Sequence, residues 1–515
     1  MTQSSSSLNA PRRTRELAEL TSGTTVDVLV IGLGATGAGA ALDAAARGLS
    51  VAAIDAHDLA FGTSRFSSKM IHGGLRYLAQ GQAAIAHECA VERGTLMTHT
   101  APHLVRAQPF VLPLTPLTGR AGAALAWAGF RAGDALRAAA RTPRRTLPGP
   151  RRLSAVETAR LAPAVRRYGL RGGLLSWDGA LADDARLVTA LARTAAAHGA
   201  RILTRVRALG LDGGGASVRD ELTGATGEIR ARAVINATGV WAGGLVDGVR
   251  MRPSRGTHLV LRSETLGHLG AALHVPVPGT SNRFALVLPQ GDGRVYAGLT
   301  DEPVEGPVPD VPTAPETDIG FLLDVLDSTL DVPVRRSDVV GAFAGLRPLL
   351  DGDGRTADLS RKHAVLTSPE GVVTVVGGKL TTYRRMAQDA VDAAITEGAL
   401  PGRSSTTSRL PLIGAAPADD LLRLDAPARL VHRYGTEAPA LRALGTEDPS
   451  LREPVLPGHP VTRAELAWAV RHEGALDESD LLDRRTRIGL VPADREAALP
   501  AARTALTRGG TVARG

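Results

Sequence analysis

The chain has 515 residues, 43% of them apolar, with a mean hydropathy of +0.00. That is too long for one ordinary domain and composed like a soluble globular protein with a large core. Its net charge of +8 admits anionic lipid, nucleic acid or a phosphorylated metabolite without choosing among them. The single cysteine, Cys89, excludes intrachain disulfides and thiolate clusters for zinc or iron–sulfur centres, so no metal site is expected.

In chain order, the N-terminus (MTQSSSSLNAPRRTRELAEL) lacks the apolar core of a signal peptide, and residues 1–25 read as a flexible tail. Residues 26–31 (VDVLVI) then form a continuous apolar run ending in GLGATG, followed by a segment of helix composition and a short strand, VAAID, closing on Asp55. This is the strand, tight turn, helix and strand of a dinucleotide site. In it Gly32 allows the turn, Gly34 lets pyrophosphate approach the backbone, Gly37 lets helix pack on strand, and Asp55 accepts ribose hydroxyls.

Residues 62–78 (GTSRFSSKMIHGGLRYL) contain one of only three lysines among the chain's 60 basic residues. Lys69 lies near Gly73 and Gly74, and Lys379 lies beside Gly377 and Gly378. A composition that has otherwise moved to arginine keeps lysine where a compact ammonium serves and a planar fork does not, which places both segments near the chemistry.

Residues 82–108 read as helix, with Cys89 a packed, inert thiol, and PFVLPL as a strand entering a substrate-side domain. On an ideal helix over 120–141, Arg120, Arg131, Arg137 and Arg141 share one side with Trp127 and Phe130, and Leu125 and Leu136 lie opposite. Leucine and alanine are therefore expected to face the protein, and the arginine and aromatic face an anionic headgroup layer. Residues 200–235 alternate like strands joined at glycine-rich turns, and ARAVINATGVWA (231–242) ends in Ala237, Thr238 and Gly239, a turn small enough to approach a cofactor. With one nucleotide fingerprint, a second, nicotinamide-binding domain is not expected. Residues 401–416 read as a linker, and 417–515 as a helical domain.

Together GTSRFSSKMIHGGLRYL, VINATGVWA, RPSRGTHLVL, GLRPLL, LSRKHAV and GGKLTTYRRMAQDAV resemble the FAD-dependent glycerol-3-phosphate dehydrogenases of the quinone-linked type, over about residues 26–500. The resemblance implies an α/β fold: a Rossmann-like FAD-binding domain with a D-amino-acid-oxidase-like β-sheet substrate domain and a helical C-terminal domain. The FAD-binding part would be discontinuous (26–110, 181–250, 336–400), with substrate-side segments at 111–180 and 251–335. It implies that Gly32, Gly34, Gly37 and Asp55 hold the adenosine half of FAD, and that Thr63, Ser64, Ser68, Lys69, His72, Gly73 and Gly74 line pyrophosphate and flavin. Ala237 and Gly239 close behind them, while Gly378, Lys379, Leu380 and Thr381 meet the pyrimidine side of the isoalloxazine.

Around glycerol 3-phosphate it implies Arg76, Tyr77, His258, Arg347, Arg361 and Lys379. Arg347 and Arg361 suit a dianionic phosphate. His258 is the expected proton acceptor, with Lys379 and Arg347 as alternatives for steering the alkoxide. Electrons would pass to a membrane quinone, which puts a cytoplasmic protein on the inner face of the cell membrane, peripheral to it, with no nucleic-acid partner and room for a homodimer. An oxidase using oxygen, a related flavin amine oxidase and a non-catalytic flavin-binding scaffold are the alternative functions.

Overall fold

The computed structural model describes residues 3–79, 81–280, 283–351 and 362–512. The apolar run near the start forms the strand Thr25–Ile31, which lies parallel between Val51–Ile54 and Thr226–Asn236 at the centre of an eight-stranded sheet. Both faces are covered, so the strand carries apolar residues continuously instead of alternating. Arg201–Leu203 and Val372–Val376 extend the parallel set on either side, and Ala364–Thr367 and the hairpin Val206–Asp212/Gly215–Asp220 add antiparallel pieces. Ile31 is in register with both Ile54 and Asn236. The strand ends therefore share one crevice, where α/β sheets bind their ligands.

Three helices, Ala35–Ala46, Asp184–Ala197 and Tyr383–Glu397, pack on this sheet around Val28, Val30, Leu187, Leu191 and Ala390. The first is almost entirely small residues, which lets it approach so closely that a Cβ on Gly39 would lie 3.1 Å from that of Ala387.

A second sheet of ten strands stands across the crevice. Its strand Ser254–Arg262 is flanked by Arg294–Gly298 and Val339–Arg347, and the ladder continues through Phe284–Pro289, Ala272–Pro276, Val105–Pro113 and Gly173–Leu181. The helix Glu316–Asp327 covers it, joining Ile319 and Leu322 to Leu259 and Leu261. Two expected boundaries shift accordingly. Val105 already pairs with Leu181, so the first FAD-binding part ends before it. Val339–Arg347 belongs to the substrate sheet, so the chain returns to the FAD-binding sheet only after Arg347.

The expected N-terminal tail is also corrected. Asn9 accepts from the Arg12 backbone N–H (3.1 Å) and a proline occupies the first turn, so residues Ala10–Thr21 form a capped helix. Arg13 anchors it through an ion pair with Asp220 and a 2.7 Å hydrogen bond to the Thr204 carbonyl, and Leu20 is fully buried. Residues 401–416 likewise pack down, with Leu412 in the main core and Thr407 donating to Asp43.

The C-terminal domain consists chiefly of the helices Ala428–Tyr434, Ala438–Glu447, Arg463–His472 and Pro492–Val512 around two small apolar clusters. It meets the rest of the molecule through buried ion pairs: Arg484 and Arg485 on Asp58 (2.6 and 2.8 Å), Arg193 on Glu437 (2.6 Å), Arg433 on Asp183 (3.1 Å), and Arg186 on Glu473. Such pairs lose hydration on burial and gain it back only in good geometry, so they fix a docking register more than they add stability. Among the described residues no helix is long and apolar enough to cross a membrane, and no cluster of ligating side chains suits a metal ion.

Candidate flavin and substrate site

A cavity of about 1800 Å³ runs from the carboxyl ends of the first sheet to the face of the second. At one end lies the glycine fingerprint. Gly32 adopts φ +98°, and a Cβ there would lie 2.7 Å from the Ala237 carbonyl oxygen, so glycine is what brings the two strand ends together. A Cβ on Gly37 would lie 1.8 Å from the Gly32 carbonyl oxygen. Gly37 thus sits behind the wall, whereas Gly32, Gly34, Ala237 and Gly239 line it. Gly34 is the cap of the helix Ala35–Ala46, whose N-terminus favours anions. Asp55 accepts from the backbone N–H groups of Leu33 (2.7 Å) and His57 (2.8 Å), and burial pushes its carboxyl up to about 6. An open helix start, a glycine cradle and a carboxylate on the second strand fit the adenosine and pyrophosphate of FAD.

The loop after Gly62 ties three elements together. Ser64 Oγ accepts from Ala35 N–H (2.9 Å), Thr63 Oγ1 donates to the Leu346 carbonyl (2.7 Å), and Ser68 Oγ lies 2.9 Å from His258 Nε2. Thr63, Ser64, Ser68, His72 and Gly73 line the cavity, with Gly74 behind them. The His72 backbone N–H donates to Thr381 Oγ1 (3.2 Å), and that of Gly73 to Asp178 (3.1 Å).

Lys69 departs from expectation. It is 3% exposed and turned away from the cavity, its Nζ donating to Asp184 (2.9 Å) and to the carbonyls of Arg65 and Ser67 (both 3.0 Å). Burial lowers its pKa to about 8 against the opposing pull of Asp184. Its compact ammonium satisfies three acceptors inside a tight turn, which is why lysine is used here.

At the far end Gly377 and Gly378 take φ +79° and +71°, and Lys379 leads into the turn Leu380–Thr382 and the helix behind it. Gly378, Lys379, Leu380 and Thr381 all line the cavity. Lys379 Nζ lies 3.3 Å from the ring centroid of Tyr77, a cation–π contact, and donates to Cys89 Sγ (3.4 Å). Cys89 is buried, and desolvation raises its thiol pKa.

Arg347 enters from the second sheet, donating to Ser254 Oγ (3.0 Å), the Asp301 carboxylate (3.1 Å) and the Thr300 carbonyl (2.9 Å). Arg76 lies on the helix Leu75–Ala79, its side chain outside the described residues, as is Arg361 entirely. His258 is 1% exposed and does not itself line the cavity; its ring stacks on Phe343 with centroids 4.8 Å apart. Burial, Lys69 and Arg347 depress its pKa to about 3, so the imidazole is neutral. Among the described residues its Nδ1 has no hydrogen-bond partner.

The helix Arg120–Ala139 forms, but the expected faces do not hold throughout: Arg120 and Arg131 are exposed, whereas Arg137 is buried, Trp127 and Phe130 are half-buried and Leu125 faces out. Phe130 lines the cavity 6.0 Å from His274, Trp127 lies under the Arg152 guanidinium (5.2 Å), and Arg137 is buried against Asp134 (2.7 Å). Leu125 is 64% exposed, and Ala121, Ala124 and Ala128 also face outward. Covering part of the two rings removes more apolar surface from water than covering alanines would, which favours this rotation of the helix.

Four acidic or basic residues escaped the sequence reading: Asp178, Asp184, Asp301 and Arg487. Asp184 carried a usable signal, because consecutive aspartates before an apolar run mark a helix start. The other three act through contacts with distant segments and carry no local pattern.

The profile of the FAD dependent oxidoreductases matches residues 27–384, and that of the C-terminal domain of alpha-glycerophosphate oxidase matches residues 405–508. The chain is 54% identical to glycerol-3-phosphate dehydrogenase 1 of Mycobacterium tuberculosis, over 98% of this chain and 99% of that one. It is 35% identical to a mitochondrial glycerol-3-phosphate dehydrogenase of Arabidopsis thaliana, over 92% and 81%. The glycerol-3-phosphate dehydrogenase of Bacillus halodurans, solved with FAD, superposes with a TM-score of 0.72 at 25% identity, over 96% of this chain and 94% of that one. With its FAD-dependent body, its helical C-terminal domain and a relative that matches from end to end, the chain belongs to the FAD-dependent glycerol-3-phosphate dehydrogenase family.

Proposed function

We propose that this protein oxidises sn-glycerol 3-phosphate to dihydroxyacetone phosphate, with hydride leaving C2 for N5 of the bound flavin and the electrons passing on to a membrane quinone. The observation that carries the reading is that Lys379, which follows the first sheet, and Arg347, on the second, both line the cavity that also takes in the dinucleotide fingerprint. A phosphorylated alcohol there meets cations from two directions beside a flavin pocket. FAD, when bound, supplies the hydride acceptor.

Arg347, oriented by Ser254, Thr300 and Asp301, offers the phosphate a fixed guanidinium. Arg76, Tyr77 and Arg361 are assigned to the same substrate. Lys379 and the N–H groups of Leu380 and Thr381 at the start of a helix would hold the pyrimidine side of a bound flavin and would favour negative charge there. His258 takes the C2 hydroxyl proton, and because Ser68 lines the cavity and His258 does not, the proton reaches Nε2 by way of the Ser68 hydroxyl. Its neutral state leaves it able to accept. Burial first, then Lys69 and Arg347, hold its pKa down, and a dianionic phosphate beside Arg347 offsets only the last of these.

Leu117, Leu125 and Phe284 are 54%, 64% and 39% exposed and all line the cavity, giving it an apolar mouth with Arg120 and Arg131 exposed nearby. This supports an approach to quinone from a membrane surface.

The test is spectroscopic. Purified yellow protein mixed anaerobically with glycerol 3-phosphate is expected to lose its flavin absorbance, and a spectrum that stays oxidised sinks the reading. Reduction of a quinone analogue without stoichiometric peroxide is expected on turnover; peroxide in its place makes the protein an oxidase.

A further inference from the structure

The C-terminal domain reaches the two groups that hold His258. One is Ser68, on the imidazole Nε2; the other is Phe343, on the ring face. Behind Ser68, the backbone of residues 65–68 is gathered by Lys69 and Asp184: Lys69 Nζ binds the Arg65 and Ser67 carbonyls, and Ser67 gives both its N–H (2.9 Å) and its hydroxyl (2.8 Å) to Asp184. The Arg65 carbonyl takes a further bond from Nη2 of Arg487, a residue of the C-terminal domain, 3% exposed and held at φ +64°. Nη1 of Arg487 is fixed on the Asp483 carbonyl (2.9 Å), and the Arg487 carbonyl accepts from Arg294 (2.9 Å).

Behind Phe343, Leu490 and Val491 of the same C-terminal segment share one buried cluster with Phe343 and Phe66. The approach is close: a Cβ on Gly341 would lie 2.1 Å from the Leu490 carbonyl oxygen, and one on Gly345 would lie 2.7 Å from Phe66 Cβ.

We propose that residues 487–491 are a positioning element of the oxidation site, with Arg487 as its positioning residue, setting the Ser68 hydroxyl and the Phe343 ring against His258. The proposal rests on the glycerol 3-phosphate reading for its kinetic test. Arg487 touches neither cavity nor substrate and acts only through the loop. A displacement of about an ångström in such a supporting element costs on the order of a hundredfold in rate, whereas the contacts of Arg347 and the glycine cradle at Gly32 and Gly34 lie outside residues 65–68.

The experiment compares Arg487→Gln with Arg193→Gln. Arg193 also joins the C-terminal domain to the body, through Glu437, but contacts neither the loop nor Phe343. Arg487→Gln is expected to keep FAD and its affinity for glycerol 3-phosphate and to reduce its flavin at least about tenfold more slowly at saturating substrate. It should also shift the visible circular dichroism of the bound flavin. Arg193→Gln is expected to lower the melting temperature while leaving rate and flavin dichroism at the wild-type values. Equal rates for Arg487→Gln and wild type, or equal slowing in both variants, overturns the proposal. Leu490→Ala repeats the test through Phe343 if Arg487→Gln does not retain FAD. A wild type that glycerol 3-phosphate fails to bleach refutes the functional reading alone, and the dichroism comparison then decides this one: a spectrum unchanged by Arg487→Gln overturns it.

Discussion

Lys69 and Lys379 stand in glycine-rich segments that read alike in sequence, and the structure gives them different work. Lys69 lies beneath the cavity wall, closing an ion pair with a fully buried Asp184 side chain. Lys379 lies on the wall, its ammonium over the Tyr77 ring. The difference is one of direction: Lys69 adopts φ +58°, which reverses the chain and turns the side chain inward, while Lys379 has extended backbone where a strand hands over to a helix. Neighbouring glycines locate a segment at a ligand; they do not say which way its side chains point.

The largest effect that would break this contrast is on stability. Lys69→Met strands a buried carboxylate and is expected to destabilise the FAD-loaded protein by about 3–5 kcal/mol in denaturant unfolding. Lys379→Met should leave the unfolding midpoint nearly in place. If Lys69→Met unfolds like wild type but reduces its flavin slowly, the two lysines share one role and the comparison fails.

What the sequence made legible follows from the same contrast. The fingerprint from Val26 to Asp55, the turn at Ala237–Gly239 and the turn at Gly377–Thr381 are local patterns, and their segments meet at one cavity. The N-terminal helix was legible in principle from Asn9 and Pro11 and was outweighed by serine-rich composition. The inward face of Arg120–Ala139 was not legible, because helical periodicity gives two faces and only a tertiary neighbour, here His274 and the cavity, selects between them. Arg487 on the Arg65 carbonyl spans 422 residues of sequence, and nothing short of the fold brings those positions together.

Arg347 extends the comparison to the opposite sheet. Arg347→Ala is expected to raise the KM for glycerol 3-phosphate by the equivalent of about 2–5 kcal/mol with FAD retained, since it removes one partner of a charged pair. An unchanged KM in this variant removes the phosphate assignment and leaves Arg347 a structural partner of Asp301. Lys379→Met acts later in the reaction, slowing anaerobic flavin reduction about 10- to 100-fold, or roughly 1.4–2.7 kcal/mol. Arginine at position 379 should restore only part, because a delocalised guanidinium on a longer side chain does not place its charge where the compact ammonium sits.

His258, like Lys69, lies under the wall, and its protonation makes that measurable. Its folded-state pKa, about 3, is below the unfolded value near 6.5, so the unfolded chain binds the proton first as the solution is acidified. The stabilisation is complete above pH 6.5 and is lost as the pH falls towards 3, at up to about 1.4 kcal/mol per unit. His258→Asn should flatten the acid side of the stability curve by that slope between pH 6 and 4. An identical slope in the variant would place His258 in contact with solvent.

The smallest expected effect concerns the cavity mouth, where the contrast between inward and outward side chains recurs on one helix. Trp127 and Phe130 are half-buried, whereas Leu125, with Leu117 just before the helix, is exposed at the cavity mouth, and Arg120 and Arg131 are exposed on the same helix. Exposed leucines on a segment that also carries exposed arginines suit the headgroup layer, each cation near anionic lipid contributing about 1 kcal/mol and each leucine entering the acyl boundary only partly. Changing Leu117 and Leu125 together to serine is expected to weaken salt-sensitive binding to anionic vesicles about tenfold, roughly 1.4 kcal/mol, with flavin reduction by glycerol 3-phosphate intact. Trp127→Ser should instead remove the contact with Arg152 and leave vesicle binding at the wild-type level. If the serine pair sediments with vesicles as well as wild type does at low salt, the outward face of this helix does not dock. The exposed arginines around it are then a solvated surface, and the apolar mouth serves only to admit a ligand from solution.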